Sequence, residues 1–304
     1  MPISNFPKGF SSGLNVRGFP ILNTYGGDVF WVDSGKGSNG NKGTFDRPWA
    51  TIDYAIGRCT ASNSDMIMVK PGHTETLTAD ITMDVIGVQV IGLGRGTLRP
   101  TITVGAVDGT VAMTAANSVM ANIRFVLEDT DDTVTSAITI TADGCIVDGC
   151  ETVVHATAQF TTHLTATDAQ FVEIVNNKFR SLHTASSTSG IVVDGCDDLL
   201  IDNNTVDGHF TEHALDNTTP GSVDEILRAT ITNNLFMNRS TTGGDTCVDL
   251  DAAATGFFAY NQLVGGLATT AANYEIGDMA SLESYISDSI GVDVASIIVG
   301  TAAV

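Results

Sequence analysis

The sequence predicts an all-β solenoid, a parallel β-helix of short strands wound into stacked coils, and three observations predict it. The first is a recurring unit. ITNNLF at Ile231–Phe236 returns as IVNNKF at Ile174–Phe179 and IDNNTV at Ile201–Val206. Looser copies are VMANIRF (Val119–Phe125), IVDGCE (Ile146–Glu151) and FFAYNQL (Phe257–Leu263). Aligned on the second polar residue, they put Asn122, Gly149, Asn177, Asn204, Asn234 and Asn261 in one column, at intervals of 27, 28, 27, 30 and 27, with Gly92 a further 30 residues ahead. A fixed period of that size marks a solenoid. The second observation is a further apolar strand in each period: GTVAMT (Gly109–Thr114), SAITIT (Ser136–Thr141), THLTAT (Thr162–Thr167), SGIVVDG (Ser189–Gly195) and TCVDLDA (Thr246–Ala252). Two or three strands of about five residues with short turns fill such a coil. The third is composition: hydrophobic residues make up 43% of the chain, and Val, Ile, Ala and Thr lead while Gly and Asn punctuate.

Taken in order, residues 1–27 form an N-terminal extended arm. Its first 23 residues hold three of the seven prolines and show no strand or helix period. Phe6, Phe10, Leu14, Val16, Phe19, Ile21 and Leu22 suit an arm that docks, on its own body or on a neighbour. The solenoid is expected over 28–266. DVFWVD (Asp28–Asp33) opens it as a strand, followed by the Gly-rich loop GKGSNGNKGTFDRP and a helix over Pro48–Cys59. Pro48 suits a first helical turn, Asp46 is expected as the N-cap or as an anion near it, and Trp49, Ile52, Ala55 and Ile56 share one face. A helix in that place caps the open end of the solenoid. MIMVKPGHTET (Met66–Thr76) then reads as strand, Pro-Gly turn and strand.

The asparagine column has a structural explanation. A sharp bend between sheets favours a residue tolerant of left-handed φ, and stacked amides hydrogen-bond from coil to coil. Gly92 and Gly149 in that column point to the backbone demand. His209–Glu225 lengthens one period and reads as a lateral excursion. Beyond Gly266 the repeat stops, so 267–304 is a C-terminal extension: a helix over Glu275–Gly291, with Met279, Leu282, Tyr285 and Ile286 on one face, then a strand-prone terminus, Val292–Val304.

The segment from Asp28 to about Glu75 resembles the entry of right-handed parallel β-helix domains of the pectate-lyase-like superfamily. Asp33, Gly43, Thr44, Pro48, Ala50, Thr51, Ile52, Ala55, Pro71 and Gly72 carry the match. The resemblance implies a right-handed coil and leaves activity open, because that superfamily holds lyases, hydrolases, adhesins and inert virion parts. The N-terminal run MPISNFPKGF…GFPILNTY also looks like virion proteins of tailed bacteriophages.

Charge narrows the classes of function. Only 16% of residues are charged, yet the net charge is −21, a balance that repels nucleic acid and anionic membranes. The N-terminus has no apolar signal region, so synthesis in a bacterial host cytoplasm is expected. The five cysteines, without a CxxC, read as buried free thiols.

Candidate chemistry is sparse. Asp249 and Asp251 alternate with apolar residues on one strand and, with Asp194, Asp197 or Asp198 one coil below, would form a carboxylate pair of the kind glycoside hydrolysis uses. The superfamily's polysaccharide hydrolases carry Gly-His-Gly and a later Arg-x-Lys; here Gly208–His209 is followed by Phe210, and no Arg-x-Lys occurs. Its lyases use basic residues among calcium-binding acids, and beyond Arg180 the only Lys or Arg residues are Arg228 and Arg239. His209 and His213 have a helical metal-ligand spacing, although the Asp-Gly before them and Pro220 after them disfavour a helix. The acidic surface offers carboxylates to a divalent cation such as calcium. The expectation is a non-enzymatic virion protein, a capsid-surface decoration protein assembling as a homotrimer. It would contact the major capsid protein or tail components through Met1–Asn23 and Val292–Val304, with no nucleic-acid or membrane partner. The alternative is a tail fibre or tailspike that binds or depolymerises host surface polysaccharide.

Overall fold

The computed structural model describes residues 14–16, 19–21, 26–104, 109–128, 134–153, 159–181, 187–217, 225–240, 247–265, 274–276, 279–282, 284–288 and 296–298. The chain is a right-handed parallel β-helix. Each coil contributes one strand to each of three sheets, which contain 10, 10 and 8 strands. The first sheet starts at Val29–Val32, the second at Thr74–Leu77 and the third at Ile81–Met83.

Alternation along each strand sends one face inward. Parallel register then stacks like on like. Ile67, Val90, Met120, Val147, Ile174, Ile201, Ile231 and Phe258 form one continuous internal file on the first sheet, all with no exposed surface. On the second sheet Phe179, Val206, Phe236 and Leu263 do the same.

The register corrects the asparagine column. The left-handed bend between the first and second sheets falls on Asn122, Gly149, Asn176, Asn203, Asn233 and Tyr260, with φ of 55°, 62°, 60°, 56°, 57° and 57°. It is therefore the first residue of each Asn-Asn pair that bends. The sequence alignment mixed two adjacent columns, since Asn122 and Gly149 belong with Asn176, not Asn177. The second column, Cys150, Asn177, Asn204, Asn234 and Asn261, is buried and forms a ladder. Asn177 donates to Asn204 Oδ1 from its backbone N (2.9 Å) and its Nδ2 (3.0 Å). Asn204 donates likewise to Asn234, and Asn234 to Asn261. Each Nδ2 also donates to a carbonyl of the preceding coil, such as Ile174 O at 2.7 Å from Asn204. The ladder begins at Cys150 N, which donates to Asn177 Oδ1, and ends where Asn261 N donates to Ser284 Oγ at 3.3 Å.

The cap is shorter than expected. The helix is Ile52–Ile56, and its N-cap is Thr51 in place of Asp46. The acceptor at its start is Glu75 Oε2, which takes the Ile52 N–H at 3.0 Å. The residues before it run extended: Trp49 N donates to Trp31 O, and Asp33 N to Trp49 O. This segment covers the edge of the first sheet. Trp49, Ile52, Ala55 and Ile56 are all buried, as their shared face predicts. The Gly-rich loop closes over Trp49, whose Nε1 donates to Asn41 O at 2.9 Å.

Two expectations fail at the other end. No helix forms over 275–291 among the described residues. Tyr274–Ile276, Ala280–Leu282 and Ser284–Asp288 pair in parallel with the third, first and second sheets, so the solenoid continues past Gly266. Buried Ser284 stands where earlier coils have asparagine, which hid this coil from the repeat. Secondly, His209–Glu225 is not wholly an excursion, because Leu215–Asp216 is its coil's strand in the third sheet. Of the arms, only Leu14–Val16 and Phe19–Ile21 (an antiparallel pair) and Ser296–Ile298 (antiparallel to Ser284–Asp288) are described; the rest of Met1–Asn23 and Val292–Val304 lies outside the described residues. No helix is long and apolar enough to cross a membrane among the described residues.

Candidate functional site

The outer face of the third sheet changes character along its length. In register, Thr82, Ala112, Thr139, Thr165 and Val192 form a half-exposed file of small uncharged side chains. The next two positions in the file are Asp216 and Asp249. Parallel rungs are about 4.8 Å apart, so the two carboxylates leave the sheet side by side.

Their surroundings come from the segment between the second and third sheets. The bent backbone there is held by Thr211 N donating to Ser187 O, Glu212 N to Thr188 O and Ala214 N to Cys247 O. Asn238 Oδ1 accepts the Phe210 N–H at 3.1 Å, and Asn238 Nδ2 donates to Glu212 O at 2.9 Å. The result sets His213 Nε2 3.2 Å from Asp249 Oδ2. Ser189 Oγ donates to Asp216 Oδ2 at 2.9 Å and lies 3.5 Å from Glu212 Oε2. Asp216 is buried, while Asp249 and His213 are partly exposed. A carboxylate beside an imidazole fixes the ring's orientation, and two neighbouring carboxylates are the minimum set for acid–base work on a glycosidic bond.

The sequence candidates are only partly assembled here. Asp249 is in the cluster. The residue one coil below it is Asp216, not Asp194: the register runs Asp249, Asp216, Val192, which leaves Asp194 two coils away and two positions along the strand. The period containing Leu215–Asp216 was read as loop, and that skipped a coil. Asp251 follows the strand and caps a turn, its Oδ1 accepting the Ala253 N–H at 2.9 Å. His209 and His213 share no helix face, because their segment is a single bridge at Phe210 followed by bends, with no helical turn. His213 turns to Asp249, while His209 Nδ1 is buried without a partner. Among the described residues, no group of three or more His, Cys, Asp or Glu side chains is placed to hold a metal ion. Asp216, Ser189 and Glu212 are the members that sequence reasoning missed. The third-sheet strand that carries Asp216, Leu215–Asp216, is only two residues long, so no period marked it in the sequence.

Beneath this face is His163, wholly buried. Its ring stacks on Phe179 (5.9 Å, 9° between planes) and meets Phe160 and Phe210 at 5.9 and 6.0 Å. Neither ring nitrogen has a hydrogen-bond partner, and burial pushes its pKa down to about 3. Four cysteines, Cys145, Cys150, Cys196 and Cys247, are buried free thiols, and Cys59 is half-buried. Burial raises the pKa of each, to about 12 for Cys59, Cys150 and Cys247.

No protein-family model matches the chain, and none of the curated proteins does. Among solved structures it is similar to a rhamnogalacturonan lyase, with a TM-score of 0.50 and 14% identity, over 79% of this chain and 74% of that one. It is also similar to the pectin methylesterase of Aspergillus niger (TM-score 0.46, 16% identity, 88% of this chain and 91% of that one). A pectate lyase gives a TM-score of 0.34 at 11% identity, over 84% and 79% of the two chains. At 14% identity the likeness to the rhamnogalacturonan lyase is one of fold alone.

Proposed function

We propose that the protein is a non-enzymatic structural component of a tailed-bacteriophage virion, a decoration protein on the capsid surface that assembles as a homotrimer. The observation that carries this reading is the file Thr82, Ala112, Thr139, Thr165 and Val192. It is uncharged and partly exposed across successive coils of an otherwise acidic chain. A rigid face of short side chains suits close packing against another subunit, and closed symmetry lets each copy present the same face. The solenoid's bonded interior supports the same reading, because the asparagine ladder binds coil to coil and leaves no amide of that column for a ligand. Contacts with the capsid are assigned to Met1–Asn23 and Val292–Val304. Quantitative gels of purified particles test the proposal: the chain is expected at a copy number comparable to the major capsid protein, and a few copies per particle would overturn it.

One observation favours a second reading, a tail protein that depolymerises host polysaccharide: the side-by-side carboxylates of Asp216 and Asp249, with His213 alongside. On that reading Asp249→Asn and Asp216→Asn each lower clearing of host polysaccharide by at least a hundredfold. A wild-type protein with no clearing activity ends it.

A further inference from the structure

The chain is strongly acidic, yet several of its 14 Lys and Arg residues gather in one place. At the bend between the first and second sheets, opposite in character to the acidic cluster, a pocket of about 370 Å³ is lined by Arg95, Arg99 and Lys178 together with Asn122, Asn176 and Gly149. Register builds it. Arg124, Glu151 and Lys178 occupy successive rungs of the second sheet. The bend residues Asn122, Gly149 and Asn176 supply the polar wall on the neighbouring column.

Only part of this positive charge is neutralised. Glu151 takes Arg124 Nε at 2.6 Å on one oxygen and Arg99 Nη1 at 3.0 Å on the other. Arg124 Nη2 donates to Gly96 O, and Arg99 Nη1 also donates to Gly149 O at 3.2 Å. One carboxylate thus fixes two guanidinium groups and balances one of them. Asp148, the other acid at this bend, accepts Asn176 Nδ2 at 2.8 Å. Arg99 Nε is buried with no hydrogen-bond partner among the described residues. Arg95 and Lys178 make no ion pair among the described residues. A buried guanidinium N–H without an acceptor is rare in a finished structure, and two unpaired cations beside it raise the local potential within a partly enclosed space.

We propose that this pocket binds the oxyanion group of a small ligand. Guanidinium groups recognise planar and tetrahedral oxyanions through paired N–H donors. Arg99, held by Glu151 and Gly149 O, is the fixed member; Arg95 and Lys178 are free to close on the anion. The shared chemistry is the oxyanion, either a free tetrahedral anion or the carboxylate of a sugar acid.

Titrating the full chain with sodium phosphate, and separately with sodium glucuronate, against sodium chloride at matched ionic strength tests this. Thermal melts and amide NMR shifts of the pocket residues are the readouts. The expected result is a saturable rise in melting temperature and saturable shifts with at least one of the two anions, absent with chloride. Phosphate acting alone identifies a tetrahedral anion as ligand; glucuronate acting more tightly identifies a sugar acid. The double variant Arg95→Ala, Lys178→Ala removes no side-chain hydrogen bond or ion pair among the described residues and weakens the response at least tenfold, and Lys178→Glu at its exposed position does the same. If neither anion gives a saturable response beyond the chloride control, or if the variants respond as the wild type does, the proposal is overturned.

Discussion

At the scale of single residues, neighbours of identical type have different duties. Asn203 and Asn204 are adjacent, yet one holds a left-handed φ of 56° at the surface and the other is a buried rung. Asn203→Gly keeps the permitted φ and loses only the exposed bond from Nδ2 to Asn176 Oδ1, so urea denaturation is expected to shift by no more than about 0.5 kcal/mol. Asn204→Ala strips the acceptor from Asn177 N and Nδ2 and the donor from Ile174 O and Asn234 Oδ1. The buried Asn177 N–H is left unpaired, while Asn177 Nδ2 keeps Val147 O and Asn234 Oδ1 keeps the residue-204 N–H. The loss of these buried bonds destabilises by about 3 kcal/mol. Equal effects from the two substitutions would refute the assignment of columns. His163 gives a pH prediction. Its pKa is about 3 when folded against an ordinary 6.5, so the unfolded chain takes up a proton that the folded chain refuses. Stability is complete above pH 6.5 and falls toward pH 3, by roughly 1.4 kcal/mol per unit. His163→Leu, which fits an aromatic cage without polar atoms, is expected to flatten that slope in melts between pH 7 and 4.

At the scale of elements, the cap depends on a carboxylate from the coil it covers. Glu75 Oε2 accepts the Ile52 N–H and lies 3.2 Å from His73 Nε2. Glu75→Ala removes that acceptor from the start of a five-residue helix, and about 1–3 kcal/mol is the expected loss. Hydrogen exchange at the Ile52 amide checks it: exchange should accelerate there and stay unchanged at the amide of Ile201, deep in the first sheet. Elements also show what was legible in the sequence. The third-sheet strands from Gly109 to Gly195 were readable because apolar residues alternate there without interruption. The bend was readable as a column and misplaced by one residue, and the lone interval of 28 was the trace of that slip, since Gly149 to Asn176 is 27. The strand Leu215–Asp216 has only two residues, too few for a period to register. The last coil was hidden because Met279, Leu282, Tyr285 and Ile286 satisfy a helical period equally well. What decides in favour of strands is an edge to pair with, and that is a property of the neighbouring coil, absent from the local sequence.

At the scale of the whole molecule, the candidate site was less legible than the fold. Asp249 could be picked from alternation, but its partner Asp216 emerges only when coils are stacked in register. The oxyanion pocket likewise brings Arg95 and Arg99 together with Lys178, from two stretches of chain about 80 residues apart. Each coil touches chiefly the coils on either side, so stability accrues coil by coil. The ladder has a consequence for how such a chain can change length. Each amide bonds to an equivalent amide 27 or 30 residues on, and every rung presents the same donor and acceptor to whatever follows. The join is therefore indifferent to which coil comes next and intolerant of a fraction of one. Excising 178–204, the 27 residues that separate Asn177 from Asn204, sets Asn177 directly before Thr205 and reconnects the rungs; a shortened cooperative protein is expected by calorimetry. Excising 178–203 instead moves every following side chain to the opposite face, and an unfolded product is expected. Growth and loss in this molecule come in whole turns, like links in a bicycle chain.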